Sequence, residues 1–175
     1  SKLVNQLLQL SRADRHKESL HLEEFDLSEL TEMVAEEAQG LAESKAVTLT
    51  AEIEPGILVK ADQTLMMRIW LNLLTNAVKY GRQQGQIWLT LKSDGKNAVG
   101  TGRDDGIGIS AAELPKIWKR FYRVNTARSS GDDSGTGLGL AMVKWMVESH
   151  GGTVSAVSTL GAGSTFSFTI PLRPS

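Results

Sequence analysis

No cysteine occurs among the 175 residues. That excludes disulfides, thiolate nucleophiles and cysteine-ligated metal or iron–sulfur centres, and it suits a reducing compartment. Neither sign of charge dominates: 19 Lys and Arg stand against 20 Asp and Glu, a net charge of −1. The chain therefore has no global field with which to hold nucleic acid or an anionic membrane. No apolar run approaches the roughly 18 residues needed to cross a bilayer. The first residues, SKLVNQLLQLSRADRHKE, space their apolar positions and do not read as a signal peptide. There is no internal repeat, no low-complexity tract and no G-x-x-x-x-G-K-[ST] phosphate loop.

What is present is an ordinary globular balance, 41% hydrophobic and 22% charged, long enough to bury a core without staples. Glycine is the one skew, with 17 residues, many of them between about 100 and 163. Leu3, Leu7 and Leu10, with Val4 and Leu8 beside them, form a stripe at helical spacing. HLEEFDL (21–27) reads as a strand. Ser28 is placed to cap a following helix, with Glu29 and Glu32 in its first turn and Leu30, Met33, Val34, Ala38, Leu41 and Ala42 on its apolar face. VTLTAEI (47–53) and ILVKA (57–61), parted by Glu54-Pro55-Gly56, predict a hairpin. Asp62 caps a second helix whose face is Leu65, Met66, Ile69, Trp70, Leu73, Leu74, Ala77 and Val78, ending near Gly81. Strands follow at 86–92 and 97–103 around an Asp94-Gly95 turn, then a short helix at about 111–119. Residues 124–137 carry no periodicity and read as a long loop. A helix from about 138 to 149 ends at Gly151, and strands 152–158 and 164–171 close the chain. Helices and strands do not alternate strictly. The prediction is an α+β fold: a two-layer α/β sandwich with a mixed, mostly antiparallel sheet and helices on one face.

Three glycine clusters stand out: Asp104-Asp105-Gly106-Ile107-Gly108-Ile109 after a strand, Gly135-Thr136-Gly137-Leu138-Gly139-Leu140 opening a helix, and Gly161-Ala162-Gly163-Ser164-Thr165 between strands. One such pair alone is most often a plain turn. Two of them around a long loop, one delivering free N–H groups at a helix start, point to an anionic ligand. Gly106 to Ala111 fits G-x-G-x-x-A, but the preceding acidic pair would repel a pyrophosphate, and no long helix begins there. Asn72 and Asn76 lie one turn apart beside the apolar face of their helix, followed by Lys79 and Tyr80. Amide oxygens are hard neutral ligands that suit Mg²⁺ with phosphate oxygens. Gly100 and Gly102 weaken the strand leading to Asp104 and leave nothing to pack, which reads as a bulge, a cavity or introduced substitutions; if the strand is regular, Gly102→Val raises stability. Trp70, Trp88, Trp118 and Trp145 all sit on apolar faces and are expected in the core. His16, His21 and His150 are expected as surface or helix-end residues.

In this order the motifs resemble the boxes of bacterial sensor histidine kinases over about residues 24–172. Asn72 to Tyr80 is similar to the N box, and Asp104 to Ile109 to the G1 box. Ile117-Trp118-Lys119-Arg120-Phe121-Tyr122-Arg123 is similar to the F box, Gly135 to Leu140 to G2, and Gly163 to Phe166 to G3. The resemblance implies the Bergerat ATP-binding fold shared with gyrase, Hsp90 and MutL. It implies that Asp104 accepts the adenine amine, with Gly106 and Gly108 approaching the ring and Ile109 and Tyr80 packing base and sugar. Phe121 belongs to the same pocket. Asn76 would ligate Mg²⁺, with Asn72 beside it or through water, and Lys79 and Arg123 would meet phosphates. Gly135, Thr136, Gly137, Leu138, Gly139 and Leu140 would border the phosphates, residues 124–137 would be the ATP lid, and Thr165 would reach adenine through water. Asn72, Lys79 and Arg123 are the candidate catalytic residues.

In ATP-hydrolysing relatives a Glu one turn before the Mg²⁺-binding Asn acts as base. Here that position is Asn72, which cannot take a proton at neutral pH. This suits a kinase and disfavours a serine kinase of the anti-sigma type. No histidine matches the family's phosphoacceptor box, so the resemblance divides the chain into a stub (1–19), like the end of the dimerisation domain's second helix, and a catalytic ATP-binding domain (20–175). The implied partners are the protein's own dimerisation and phosphoacceptor domain and a response regulator, with no nucleic acid and no direct membrane contact. The isolated domain is expected to be a monomer. The expected location is cytoplasmic, in a parent protein anchored in the inner membrane. The alternative is a nucleotide-binding regulatory module without phosphotransfer.

Overall fold

A computed structural model describes residues 20–119 and 139–173. Stub 1–19, loop 124–137 and the site candidates Phe121, Arg123, Gly135, Thr136, Gly137 and Leu138 lie outside the described residues. The elements run β1 (Glu23–Asp26), α1 (Leu27–Ser44), β2 (Thr48–Ile53), β3 (Leu58–Ala61), α2 (Gln63–Tyr80), β4 (Gln86–Ser93), β5 (Asn97–Asp104), a 3₁₀ turn (Leu114–Lys116), α3 (Gly139–Ser149), β6 (Val154–Thr159) and β7 (Gly163–Pro171). The main sheet has five strands in the order β2-β4-β5-β7-β6, and β1 pairs with β3 in a separate two-stranded ribbon. Only β2 with β4 is parallel in the main sheet; its other pairs are antiparallel. Helices cover one face, as the pattern predicts. None of the described helices is long and apolar enough to cross a membrane.

Four local expectations are corrected. Asp26, not Ser28, caps α1, its carboxylate accepting from the Glu29 N–H. Ser28 lies inside the first turn and is buried, its hydroxyl donating to the Glu54 carbonyl (2.5 Å) and accepting from the Ile57 N–H (3.1 Å). Those two bonds hold the Glu54–Ile57 reversal, yet the strands on either side of it do not form a hairpin. β2 pairs with β4 and β3 with β1. Turn residues reverse the chain, but long-range burial chooses the partners. The predicted helix at 111–119 is reduced to turns and the 3₁₀ segment, where Pro115 withholds an N–H from a continuing ladder. On α1 the buried face is Leu27, Leu30, Thr31, Val34, Ala35, Ala38 and Ala42, so Met33 and Leu41 stay exposed.

Asp62 caps α2 as expected, accepting from the Leu65 N–H at 3.2 Å. Trp70 on this helix is fully buried and meets Phe168 of β7 edge to face at 4.9 Å between ring centroids. Its indole N–H donates to Thr31 Oγ1 (2.9 Å), so a polar atom in the core is satisfied. The two aromatics explain Gly100. A Cβ there would lie 2.5 Å from Phe168 Cζ and 2.9 Å from Trp70. Gly102 is different, with Leu73 Cβ at 3.9 Å as the nearest neighbour. β5 is regular through both, in unbroken register with β4 and β7. Gly102→Ala is therefore expected to raise stability by about 0.5–1 kcal/mol, because it removes unfolded-state entropy without a clash. A lower urea midpoint for the variant would contradict this.

His150 follows α3 and ties it to the start of α2. Its Nε2 accepts the Asp62 backbone N–H at 3.0 Å, and its Nδ1 lies 2.7 Å from the Met146 carbonyl, which places the ring proton on Nδ1. Further along α2, Asn72 Nδ2 donates to the Gly139 carbonyl at the start of α3 (3.4 Å). α2 and α3 thus pack antiparallel, fastened at both ends of α3. Trp118 packs on Phe166, with centroids 6.1 Å apart, and Trp145 is half-buried against the core. Trp88 is the exception to the core expectation. It points to the face of the sheet without helices, under the Arg103 guanidinium at 4.7 Å.

Candidate functional site

Strand alternation sends every second side chain of the sheet toward the helices. Two successive rows of that inner face are apolar apart from glycine: Leu91, Gly100, Phe168 and Val154, then Leu89, Gly102, Phe166 and Ala156. The next row, at the sheet's end, changes character. It reads Ile87, Asp104, Ser164 and Ser158 across β4, β5, β7 and β6. A carboxylate and two hydroxyls therefore share the end of the apolar inner face.

Asp104 is 4% exposed. Burial pushes its carboxyl above the ordinary carboxylate value, and the charge of Asp105 adds to this. The backbone N–H groups of Gly106 and Ser164 pull the other way without overcoming it. The Gly106 N–H donates to Asp104 Oδ1 at 2.8 Å, so the chain turns over its own carboxylate. Asp105 is spent structurally, accepting from the Gln86 N–H at 3.0 Å. A strongly desolvated carboxylate at the end of a sheet is a candidate for ligand recognition.

The loop after Asp104 is fastened on two sides. Ile107 N–H donates to the Tyr80 carbonyl at the end of α2 (3.2 Å), and the Gly161 N–H donates to the Ile107 carbonyl (2.7 Å). Arg82 donates to the Gly161 carbonyl at 2.5 Å. The spaces beside Gly106 and Gly108 are filled by the protein itself. A Cβ at Gly106 would lie 2.1 Å from the Tyr80 carbonyl oxygen, and one at Gly108, where φ is +71°, would lie 2.1 Å from that of Thr159. These glycines are required first by backbone packing. Ile109 is buried in the core, and its N–H donates to Ser158 Oγ at 2.7 Å.

The loop bond to Tyr80 and the Asn72–Gly139 bond bracket the C-terminal half of α2, so Asn76, Lys79 and Tyr80 lie between the Asp104 loop and the start of α3. Asn76 is half-buried, and the Lys79 ammonium sits 5.1 Å from the Tyr80 ring centroid. Gly139 and Leu140 form the first turn of α3. Among the described residues there is no cluster of His, Asp or Glu able to hold a metal unaided. The amide oxygens of Asn72 and Asn76 fit a hard cation only in company with ligand oxygens.

Thr165 is not brought to this site. Its register partner is Arg103, and it lines a shallow groove of about 280 Å³ on the opposite face with Thr50, Trp88, Thr90 and Thr101. Ser164 and Ser158 take the inner-face positions instead. The period-2 alternation of the last strands could have found Ser164, but only the β6–β7 register reveals Ser158.

A protein-family profile described as "Histidine kinase-, DNA gyrase B-, and HSP90-like ATPase" matches residues 61–174. The sequence is 37% identical over 173 residues to the sensor histidine kinase TmoS of Ectopseudomonas mendocina, covering 98% of this chain and 18% of that protein. It is 36% identical over 174 residues to the circadian input-output histidine kinase CikA of Synechococcus elongatus, covering 97% and 23%. The chain thus spans about a fifth of the length of these two relatives. Among solved structures, full-length ShkA in complex with AMPPNP aligns with a TM-score of 0.85 at 28% identity, covering 99% of this chain and 36% of that one. The mycobacterial sensor histidine kinase MprB aligns at 0.76 and 28%, covering 87% and 100%.

Proposed function

The chain belongs to the histidine kinase-, DNA gyrase B- and HSP90-like ATPase family, and from that premise we propose that it binds Mg-ATP and presents the γ-phosphate to a histidine on a separate dimerisation domain. The observation that carries the reading is the buried Asp104 at the end of an otherwise apolar inner face. An ionised carboxylate there accepts the adenine amine, and a hydrogen bond to a charged group is worth about 1.5–3 kcal/mol. Guanine would bring a carbonyl against it.

Asn76 and Asn72 would hold Mg²⁺ together with phosphate oxygens, and the ion would supply charge neutralisation at the phosphates. Lys79 adds positive charge from the same stretch of helix, and Arg123 is proposed for the same role on its sequence. Asn72 can orient but cannot deprotonate a water, which protects the γ-phosphate from hydrolysis. Catalysis by this arrangement is positioning and electrostatics, with the nucleophile supplied in trans. A response regulator and a membrane-anchored parent belong to the same proposal; the relatives of which this chain spans about a fifth support only a larger parent with further domains.

The test is calorimetric titration with a non-hydrolysable ATP analogue and Mg²⁺, on this chain and on Asp104→Ala. Binding to the parent that drops at least about tenfold in the variant supports the reading. The domain alone should incorporate no labelled phosphate, and it should phosphorylate an added dimerisation domain. Binding without transfer would instead favour the regulatory module.

A further inference from the structure

The hydroxyl of Ser158 sits at the centre of a small network of three contacts. Its Oγ is 2.9 Å from the Gly163 carbonyl, which can only accept, so Ser158 donates its single proton there. The Ile109 N–H, 2.7 Å away, can only donate, so it occupies one Ser158 lone pair. The remaining contact is with Ser164 Oγ at 2.8 Å. The contact admits either hydroxyl as donor; with the Ser158 proton on the Gly163 carbonyl, Ser164 is the donor. The proton of Ser164 is thereby turned toward β6, and the oxygen keeps its lone pairs for other groups.

Ser164 is buried and stands between Ser158 and Asp104 in the polar row. Asp104, when ionised, also offers acceptors only. We propose that Ser158 is a positioning residue for base specificity: by holding the Ser164 proton away, it keeps the floor of the site free of hydroxyl donors. A ligand edge bearing an amine with two N–H groups fits such a floor. A 6-oxo purine presents a carbonyl there, and a hydroxyl free to turn its proton would relieve it. This inference deepens the nucleotide reading above and rests on it.

The experiment measures binding of ATP and of inosine triphosphate, which carries oxygen where adenine carries the amine, to five proteins. These are the parent, Ser158→Ala, Ser158→Thr, Ser164→Ala and the double alanine variant. Freeing the Ser164 proton is expected to lower the ratio of inosine to adenosine nucleotide dissociation constants about tenfold in Ser158→Ala, the scale of one hydrogen bond to a well-placed acceptor. Ser158→Thr retains a hydroxyl and should keep the parent ratio. The double variant should return to the ratio of Ser164→Ala, because no proton remains to be freed. Equal weakening of both nucleotides in Ser158→Ala, with the ratio unchanged, would reduce Ser158 to a support of the Ile107–Ile109 loop and overturn the proposal. A parent that binds ATP while the ratio stays fixed sinks only Ser158; a parent that binds neither nucleotide sinks the nucleotide reading as well.

Discussion

Asp104→Asn is expected to melt above the parent at neutral pH while losing about 10- to 100-fold in ATP affinity. The affinity loss follows from the 1.5–3 kcal/mol typical of hydrogen bonds to charged groups. Stability should move the other way because burial is the largest influence on this carboxyl and outweighs its two backbone donors. A group whose value is raised on folding stabilises the native state below its unfolded value, near 3.8, and that contribution is lost as pH rises through the raised folded value. At neutral pH the ionised Asp104 is therefore a cost to the unliganded fold. Asn keeps the shape, and its amide oxygen can still accept from the Gly106 N–H. The stability gap between variant and parent should close on acidification through that window. ATP binding by the parent should weaken over the same range, as the charged acceptor is lost. Thermal melts of both proteins at several pH values decide the matter. A variant that melts below the parent at pH 7 would mean that the backbone donors outweigh desolvation.

Substituting Gly108 should be the most damaging single change in the loop. Its φ of +71° costs an L-residue about 1–2 kcal/mol. A Cβ would also lie 2.1 Å from the Thr159 carbonyl oxygen, a backbone atom that cannot swing aside. Overpacking of this kind costs about 1–3 kcal/mol, so Gly108→Ala is expected to destabilise by about 2–5 kcal/mol. The damage should spread, because the flanking residues fasten the loop to β6 and to the turn before β7: the Ile107 carbonyl accepts from the Gly161 N–H, and the Ile109 N–H reaches Ser158. ATP binding should fall with stability. Urea unfolding beside nucleotide titration provides the check, and parental stability in the Gly108→Ala variant would show that the loop can reseat without its close contact. Gly102→Ala serves as the contrast, since the added carbon there meets nothing closer than 3.9 Å.

Signals that act over a few residues were legible without coordinates. Asp62 before an apolar 3.6-residue period gave α2 to within a residue at its start, and Asp94-Gly95 gave the β4–β5 turn. Asn72 and Asn76 on one side of α2, with Asp104 and the glycine clusters, were enough to raise a metal–phosphate site; the base-binding role of Asp104 came only from the family resemblance. The Ser28 and Asp26 positions were not separable, because either side chain can cap and the choice was made by Ser28 finding Glu54 and Ile57 across the fold. The Gly100 puzzle had no local answer either, since the aromatics that exclude a side chain there come from α2 and β7.

The sequence by itself therefore determined the three long helices and where most strands lie, since propensity, capping and periodicity are properties of a short window. Only the tertiary structure decided pairing and facing. It separated β2 from β3, turned Thr165 and Trp88 to the outer face, and set Ser158 beside Ser164. The reason is that a strand's register has a period of two and is chosen by partners far along the chain. One residue of difference moves a side chain from the site to the opposite side of the sheet.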